Sequence, residues 1–96
     1  MDKAFVVRYR ARAEAAEENQ RLIEAVFAEL AVVRPAGLSY RVYRLADGVT
    51  FVHVAVGDGD ALGRLTAFRQ FQQGGDTRRE QPPEASPAAV VGSYAG

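Results

Sequence analysis

The stretch Val49–Val56 constrains the fold more than any other part of this 96-residue chain. Its residues are apolar and mostly β-branched, a composition typical of a strand buried in the middle of a sheet. It also contains His53, the single histidine of the chain. The dipeptide Asp47-Gly48 stands just before it and favours a tight hairpin. We therefore predict that Val49–Val56 pairs antiparallel with the preceding strand, Leu38–Leu45.

Two further segments are predicted as strands. In Ala4–Arg12 the residues alternate, so that Phe5, Val7 and Tyr9 share one side of the strand, and a period of two is typical of a strand with unlike faces. Ala88–Tyr94 follows a proline-rich linker and is predicted as the last strand. The chain thus supplies four strands.

Two helices are predicted between these strands. Glu14–Ala31 consists almost entirely of good helix formers, with an apolar stripe at three- and four-residue spacing, and it ends before Pro35. Ala61–Gln73 carries a second apolar stripe, and Asp60 is placed to cap its first turn. One more helical turn is expected over Asp76–Glu80.

The order of elements is strand, helix, strand, strand, helix, strand. Two split βαβ units with right-handed crossovers give an α+β, ferredoxin-like βαββαβ sandwich, with an antiparallel sheet covered by helices on one face. We therefore predict a single ferredoxin-like domain over residues 1–96.

The other face of this sheet has no cover within the chain. We expect Val52, Val54 and Val56 to face the helices, which leaves Phe51 and His53 on the open face. An open face that carries aromatic residues is expected to bind a partner, and the simplest partner is a second copy of the chain. The sequence therefore predicts a homodimer.

Composition excludes several classes of function. Twelve basic residues balance twelve acidic ones, so the chain has no general attraction to nucleic acid or to an anionic membrane. It contains no cysteine and one histidine, which fits poorly with a metal site. No signal peptide and no membrane-spanning apolar run are recognisable, so we expect a cytoplasmic protein.

His53 is the main candidate for chemistry. A lone imidazole serves as a general base, as a proton shuttle or as an axial ligand of haem. The alternative is a hydrogen-bonded histidine in a subunit interface. No carboxylate lies close enough in the sequence to be assigned as its orienting partner.

A ligand pocket is the second candidate. The residues predicted to line it are tyrosines of the first two strands, phenylalanines of the second helix and one arginine: Tyr9, Tyr40, Tyr43, Phe68, Phe71 and Arg8. The arginine belongs to a set that would suit a carboxylate or an enolate, which also includes Arg10, Arg12, Arg41 and Arg44. The alternatives are aromatic residues that only build the core and arginines that lie along solvated sheet edges.

The element layout, the motif Phe51-Val52-His53-Val54 and the segment Ala67-Phe68-Arg69-Gln70-Phe71 resemble small dimeric α/β-barrel proteins of the antibiotic biosynthesis monooxygenase type. The resemblance implies that two sheets pack face to face into a barrel, with a ligand cleft between the sheet and the helices of each subunit. It also implies oxygenation of an aromatic polyketide or quinol without a cofactor; some members degrade haem instead, and we expect no cofactor here.

The sequence is compatible with three functions from different classes. The first is a cofactor-independent monooxygenase-like enzyme that acts on an aromatic or apolar small molecule, with His53 as its catalytic residue. The second is a non-catalytic homodimer that binds a ligand or serves as an assembly module. The third is an RNA-recognition-like domain, which shares this order of elements but lacks basic charge and stacking aromatic residues.

Overall fold

The computed structural model describes residues 3–96, which form a four-stranded antiparallel sheet under a layer of helices. The strands are β1 (Lys3–Arg10), β2 (Leu38–Arg44), β3 (Thr50–Gly57) and β4 (Glu84–Ala89). Their spatial order is β2-β3-β1-β4, which places the first and third strands at the centre. All three neighbouring pairs are antiparallel. The predicted ferredoxin-like arrangement is confirmed.

The helical layer consists of one long helix and three short ones. A 3-10 turn over Ala13–Ala15 leads into α1 (Ala16–Val33). After the third strand come α2 (Asp60–Gly63), α3 (Thr66–Gln72) and α4 (Gly75–Arg78). Helix α1 packs against α3, and both cover the same face of the sheet.

The second predicted helix, Ala61–Gln73, is wrong as a continuous element, because it is divided between α2 and α3. Leu65 has an extended backbone at the break, which turns its side chain into the core at 3% exposure. The carboxylate of Glu29 on α1 accepts the backbone N–H groups of Thr66 (3.2 Å) and Ala67 (2.7 Å). A tertiary contact therefore begins α3, and Asp60 is the first residue of α2 rather than its cap.

The hairpin between β2 and β3 is present, and a side chain builds it. The carboxylate of Asp47 accepts the backbone N–H groups of Val49 (2.9 Å) and Thr50 (2.8 Å), and it also accepts the Thr50 hydroxyl. Gly48 has a φ of 78°, in the left-handed region that glycine tolerates. These hydrogen bonds lower the pKa of Asp47 to about 2.

The last strand is displaced from its predicted position, Ala88–Tyr94. Strand β4 runs over Glu84–Ala89, and its register pairs Glu84 with Arg8 and Ala89 with Lys3. Pro87 lies inside this strand, which a sheet tolerates at its edge because an edge strand leaves one side unpaired. The proline-rich segment that was predicted as a linker therefore supplies much of the strand.

The prediction that Val52, Val54 and Val56 face the helices is wrong. Phe51 and His53 are buried at 1% and 6% exposure, and Phe51 belongs to the core between sheet and helices. Both faces of β3 are apolar, so hydrophobicity alone did not distinguish them. The aromatic set faces the helices because its larger side chains fill the space beneath α1 and α3. The valine set lies on the open face.

Among the described residues, no helix combines the length and the apolar character that are needed to cross a bilayer.

The face assignment predicts unequal costs for truncating adjacent residues of β3. Phe51→Ala leaves a cavity in the core and is expected to lower the free energy of unfolding by ~3–5 kcal/mol. Val52→Ala, on the open face, is expected to cost about 1 kcal/mol. Urea unfolding of both variants checks this, and an equal or larger cost at Val52 would contradict the assignment.

Candidate active-site cleft

A cleft of about 960 Å³ lies between the sheet and the short helices. Its floor comes from the central strands, its roof from α2 and α3, and one side from the segment around β4. Much of the lining is apolar, including Leu62, Phe68 and Phe71. Three hydrogen-bonding side chains on the floor, those of Tyr9, Tyr40 and His53, interrupt this apolar surface. Such a cleft suits a largely apolar ligand with one or two polar atoms.

The imidazole of His53 is hydrogen-bonded at both nitrogens. Its Nε2 lies 2.8 Å from the hydroxyl oxygen of Tyr9 on β1. Its Nδ1 lies 2.7 Å from the hydroxyl oxygen of Tyr40 on β2. The three side chains come from three adjacent strands, because β3 runs between β2 and β1 and all three residues project to the helical side.

The hydrogen-bonded chain continues into the helices. The side-chain amide of Asn19 on α1 donates to the Tyr9 hydroxyl at 2.9 Å. The oxygen of the same amide accepts from Nε of Arg78 on α4 at 3.3 Å. Arg78 also donates to the backbone carbonyls of Gln73 (3.1 Å) and Phe71. Arg78, at 7% exposure, and Asn19, at 1%, are thus buried with partners, which removes most of the cost of burying them.

Burial shifts the pKa values of His53, Tyr9 and Tyr40 in the direction that favours the uncharged form of each side chain. The pKa of His53 falls to about 4, because the imidazolium loses its hydration inside the protein. Burial raises the pKa of Tyr9 to about 12, and it raises that of Tyr40 further. Near neutral pH the imidazole and both phenols are therefore uncharged.

Aromatic rings hold the polar floor in place. Tyr40 stacks on Phe27 at a centroid separation of 5.2 Å and meets Phe68 edge-on at 6.5 Å. The ring centroid of His53 lies 5.4 Å from that of Phe71. These contacts restrict the rotation of the two hydrogen-bonding rings, so the cleft offers them at fixed positions.

The structure brings together five of the seven residues predicted for the site. His53, Tyr9, Tyr40, Phe68 and Phe71 all line the cleft. Tyr43 and Arg8 are not brought there: both are register partners of Val52, and they lie with it on the open face of the sheet. Neither residue therefore belongs to the cleft.

The sequence reasoning missed three polar residues around the cleft. Asn19 occupies the same stripe of α1 as buried Ile23 and Val26, and a polar residue on an apolar stripe was a detectable signal. Arg78 is the last residue of α4 and Arg79 follows it, and no sequence pattern marks either residue. Arg79 lines the cleft, and within residues 3–96 its buried Nε has no hydrogen-bond partner.

In the part of the chain that the structure describes, no three His, Cys, Asp or Glu side chains are grouped where they would hold a metal ion.

Comparisons with known proteins give a fold. No protein-family model matches the chain. No curated protein matches it either. Solved structures do: that of Rv0793 from Mycobacterium tuberculosis has a TM-score of 0.75 and 18% identity, over 99% of this chain and 100% of that chain. The chain is thus a ferredoxin-like α+β protein with a cleft between sheet and helices.

Several of the similar solved structures are described as antibiotic biosynthesis monooxygenases, so the resemblance predicted from the sequence is confirmed at the level of fold. A variant of SnoaB, a cofactor-independent oxygenase from Streptomyces nogalater, has a TM-score of 0.69 and 20% identity, over 99% of this chain and 98% of that chain. A structure described as an antibiotic biosynthesis monooxygenase has a TM-score of 0.73 and 15% identity, over 94% and 99% of the two chains.

The lowered pKa of His53 predicts a pH dependence of stability. The unfolded chain takes up its imidazole proton near pH 6.5, whereas the folded chain does so near pH 4. The stabilisation by neutral His53 is therefore fully present above pH 6.5 and is lost as the pH falls toward 4, by on the order of 3 kcal/mol.

Urea unfolding of the protein and of His53→Gln, followed from about pH 7 to about pH 4, checks this dependence. The variant titrates no imidazole, so the difference in stability between the two proteins is expected to shrink as the pH falls. A difference that stays constant across this range would contradict the burial of a neutral imidazole.

Proposed function

We propose that the chain binds a flat aromatic or apolar small molecule in the cleft and oxygenates it without a cofactor. The observation that carries this proposal is an apolar cleft whose floor presents the hydrogen-bonded pair of His53 and Tyr40. Similarity in fold to SnoaB, described as a cofactor-independent oxygenase, supports the same class of reaction.

An oxygenation of this class needs a substrate that supplies its own electrons. Anthrone is a suitable probe, because loss of a proton from its CH₂ carbon gives an enolate that reacts directly with O₂. One oxygen atom becomes the second carbonyl of anthraquinone, and the other leaves as water with the two hydrogens of that carbon. The substrate is the reductant and O₂ the oxidant, so the balance requires no cofactor.

The cleft residues would favour this reaction by stabilising the enolate. The Tyr40 hydroxyl, which is hydrogen-bonded to His53, lies at the floor of the cleft, and a hydroxyl group can donate a hydrogen bond to an oxyanion. Arg79 adds a positive charge to the lining, and its buried Nε–H has no partner within residues 3–96. A donor and a cation held at fixed positions beside an oxyanion stabilise it without the reorganisation that water molecules would need.

Haem fits this site poorly. An axial ligand needs a free imidazole nitrogen, and both nitrogens of His53 already have hydrogen-bond partners. We therefore propose no haem chemistry for this chain.

Oxygen uptake with anthrone tests the proposal. We expect turnover by the protein, and a decrease of roughly 100-fold in kcat for Tyr40→Phe, because one donor to the oxyanion is lost. Tyr43→Phe is the matched control, since it makes the same change on the same strand but on the opposite face. Uptake no faster than in buffer, or equal losses in both variants, would count against the oxygenase function.

A non-catalytic ligand-binding dimer is the second candidate. It is favoured by the state of His53, whose lone pair and N–H are both engaged and whose pKa of about 4 makes it a weak base. Binding of anthrone without oxygen uptake would identify this function.

In both cases we propose a homodimer that forms through the open face of the sheet. The middle of that face carries Val52, Val54 and Val56, all partly buried, beside Val6 of β1 and the half-exposed ring of Tyr43. A second copy of the same face would cover this apolar row, as an isologous contact does.

The dimer is tested by light scattering. Val54→Glu places a charge in the apolar row and is expected to convert a dimer into a monomer. Val32→Glu makes the same change at a residue of α1 that is 82% exposed, and it is expected to leave the mass unchanged. A monomeric unmodified protein at micromolar concentration would exclude the dimer.

Nucleic-acid binding is not part of the proposal. Phe51, the aromatic residue of β3 that would stack a base in an RNA-recognition-like domain, is buried under the helices at 1% exposure. A cytoplasmic location remains a prediction from the sequence.

A further inference from the structure

The chain of hydrogen bonds from Arg78 to Tyr40 has a direction, which Arg78 sets. An arginine side chain donates hydrogen bonds and accepts none. The atom of Asn19 that faces Nε of Arg78 at 3.3 Å must therefore be the amide oxygen. The amide nitrogen then faces Tyr9 and donates to its hydroxyl oxygen at 2.9 Å.

The same direction of hydrogen-bond donation continues from Tyr9 to the imidazole of His53. Because the Tyr9 oxygen accepts a hydrogen bond from Asn19, its own hydroxyl proton points to Nε2 of His53, 2.8 Å away. A neutral imidazole has one protonated and one unprotonated nitrogen, so the proton of His53 lies on Nδ1. This N–H donates to the Tyr40 oxygen at 2.7 Å.

The opposite direction leaves a buried proton unpaired. If Nε2 of His53 carried the proton, the Tyr9 oxygen would receive two donors, from His53 and from Asn19. The Tyr9 hydroxyl proton would then have no acceptor at a residue that is only 6% exposed. Burial of an unsatisfied donor is unfavourable. The first direction leaves its one unpaired proton on Tyr40, which is less buried than Tyr9 and lines the cleft, so the first direction is preferred.

We propose that Arg78 and Asn19 act as positioning residues that hold His53 as the Nδ1-protonated tautomer and so leave the Tyr40 hydroxyl proton free to donate to a cleft ligand. Among residues 3–96, the Tyr40 hydroxyl has no hydrogen-bond partner besides His53. Tyr40 lines the cleft, so its proton is available there. The expected ligand is an apolar ring system with an acceptor oxygen, such as an aromatic ketone. This ligand class rests on the proposed function; the tautomer does not.

The tautomer is measured directly by long-range ¹H–¹⁵N NMR of the ligand-free protein near neutral pH. The chain has a single histidine, so both ring nitrogens are assigned without ambiguity. We expect Nε2 to resonate as the unprotonated nitrogen and Nδ1 as the protonated one. The reverse pattern, or an equal mixture, would overturn the proposal.

The Asn19→Asp variant tests whether Asn19 fixes the tautomer of His53. The carboxylate has nearly the same shape as the amide, still accepts from Arg78, and accepts from Tyr9 instead of donating to it. The Tyr9 oxygen is then free to accept from Nε2–H of His53, so we expect the Nε2-protonated tautomer and a Tyr40 proton turned toward His53. Gln20→Leu is the control. The Gln20 side chain contacts Glu24 and Arg44, which are not part of the chain of hydrogen bonds from Arg78 to Tyr40, so this variant is expected to keep the original tautomer.

An unchanged tautomer in folded Asn19→Asp would overturn the role of Asn19. If this variant does not fold, the spectrum of the unmodified protein and that of Arg78→Lys still test the proposal. Lysine also only donates hydrogen bonds, and it is expected to retain the Nδ1-protonated form.

The ligand class is tested by titrating the protein with 1-indanone and with indane, which lacks the carbonyl oxygen. One hydrogen bond from Tyr40 is expected to make 1-indanone bind about five-fold more tightly. Tyr40→Phe and Asn19→Asp are expected to remove this preference, and Tyr43→Phe to keep it.

Equal affinity of the unmodified protein for both probes would overturn the donor role of Tyr40. Binding of neither probe would count against the proposed cleft function, while the NMR pattern of the ligand-free protein would still decide the tautomer. The two failures are therefore distinguishable.

Discussion

The two hydrogen bonds of His53 connect the parts of this molecule on which its site depends. They join the central strand β3 to both of its neighbours through the side chains of Tyr9 and Tyr40. Asn19 and Arg78 extend the same chain of hydrogen bonds into α1 and α4. The sheet and the helical layer are thus linked by polar contacts within an otherwise apolar core. Buried polar groups are tolerated when every member has a partner, and a network of this kind favours one arrangement of the surrounding side chains.

Much of the fold was predictable from the sequence because the strands and α1 have strong local patterns. The alternation in Ala4–Arg12 and the β-branched run Val49–Val56 are each close to the observed strands β1 and β3. The errors arose where tertiary contacts outweigh local preference. The break before α3 depends on Glu29, which lies 37 residues earlier than Thr66. The position of β4 depends on its pairing with β1, and its proline-containing sequence has little strand propensity of its own.

The candidate site was predictable in its residue types but not in its geometry. Alternation along β3 shows that Phe51 and His53 share a face, whereas it does not show which face the helices cover. Histidine is a polar residue, so the sequence pattern favours the open face for His53 and the helical side for the valines. The structure buries it because Tyr9 and Tyr40 supply partners from other strands. Residues 44 and 13 positions away in the sequence cannot be recognised as partners without the fold.

Burial of the hydrogen-bonded chain also limits the chemistry that the cleft can support. An imidazole with a pKa of about 4 and no free lone pair is a poor general base, so the site is unlike one built around proton abstraction by histidine. The site is better suited to donating a hydrogen bond to the ligand. In the proposed tautomer, neutral His53 already orients the Tyr40 hydroxyl, so no reorganisation is needed when a ligand oxygen gains negative charge. A substrate that is itself acidic enough to ionise would need only such a donor and the cation of Arg79. The proposed oxygenation therefore requires that the substrate, rather than the protein, supply both the acidity and the electrons.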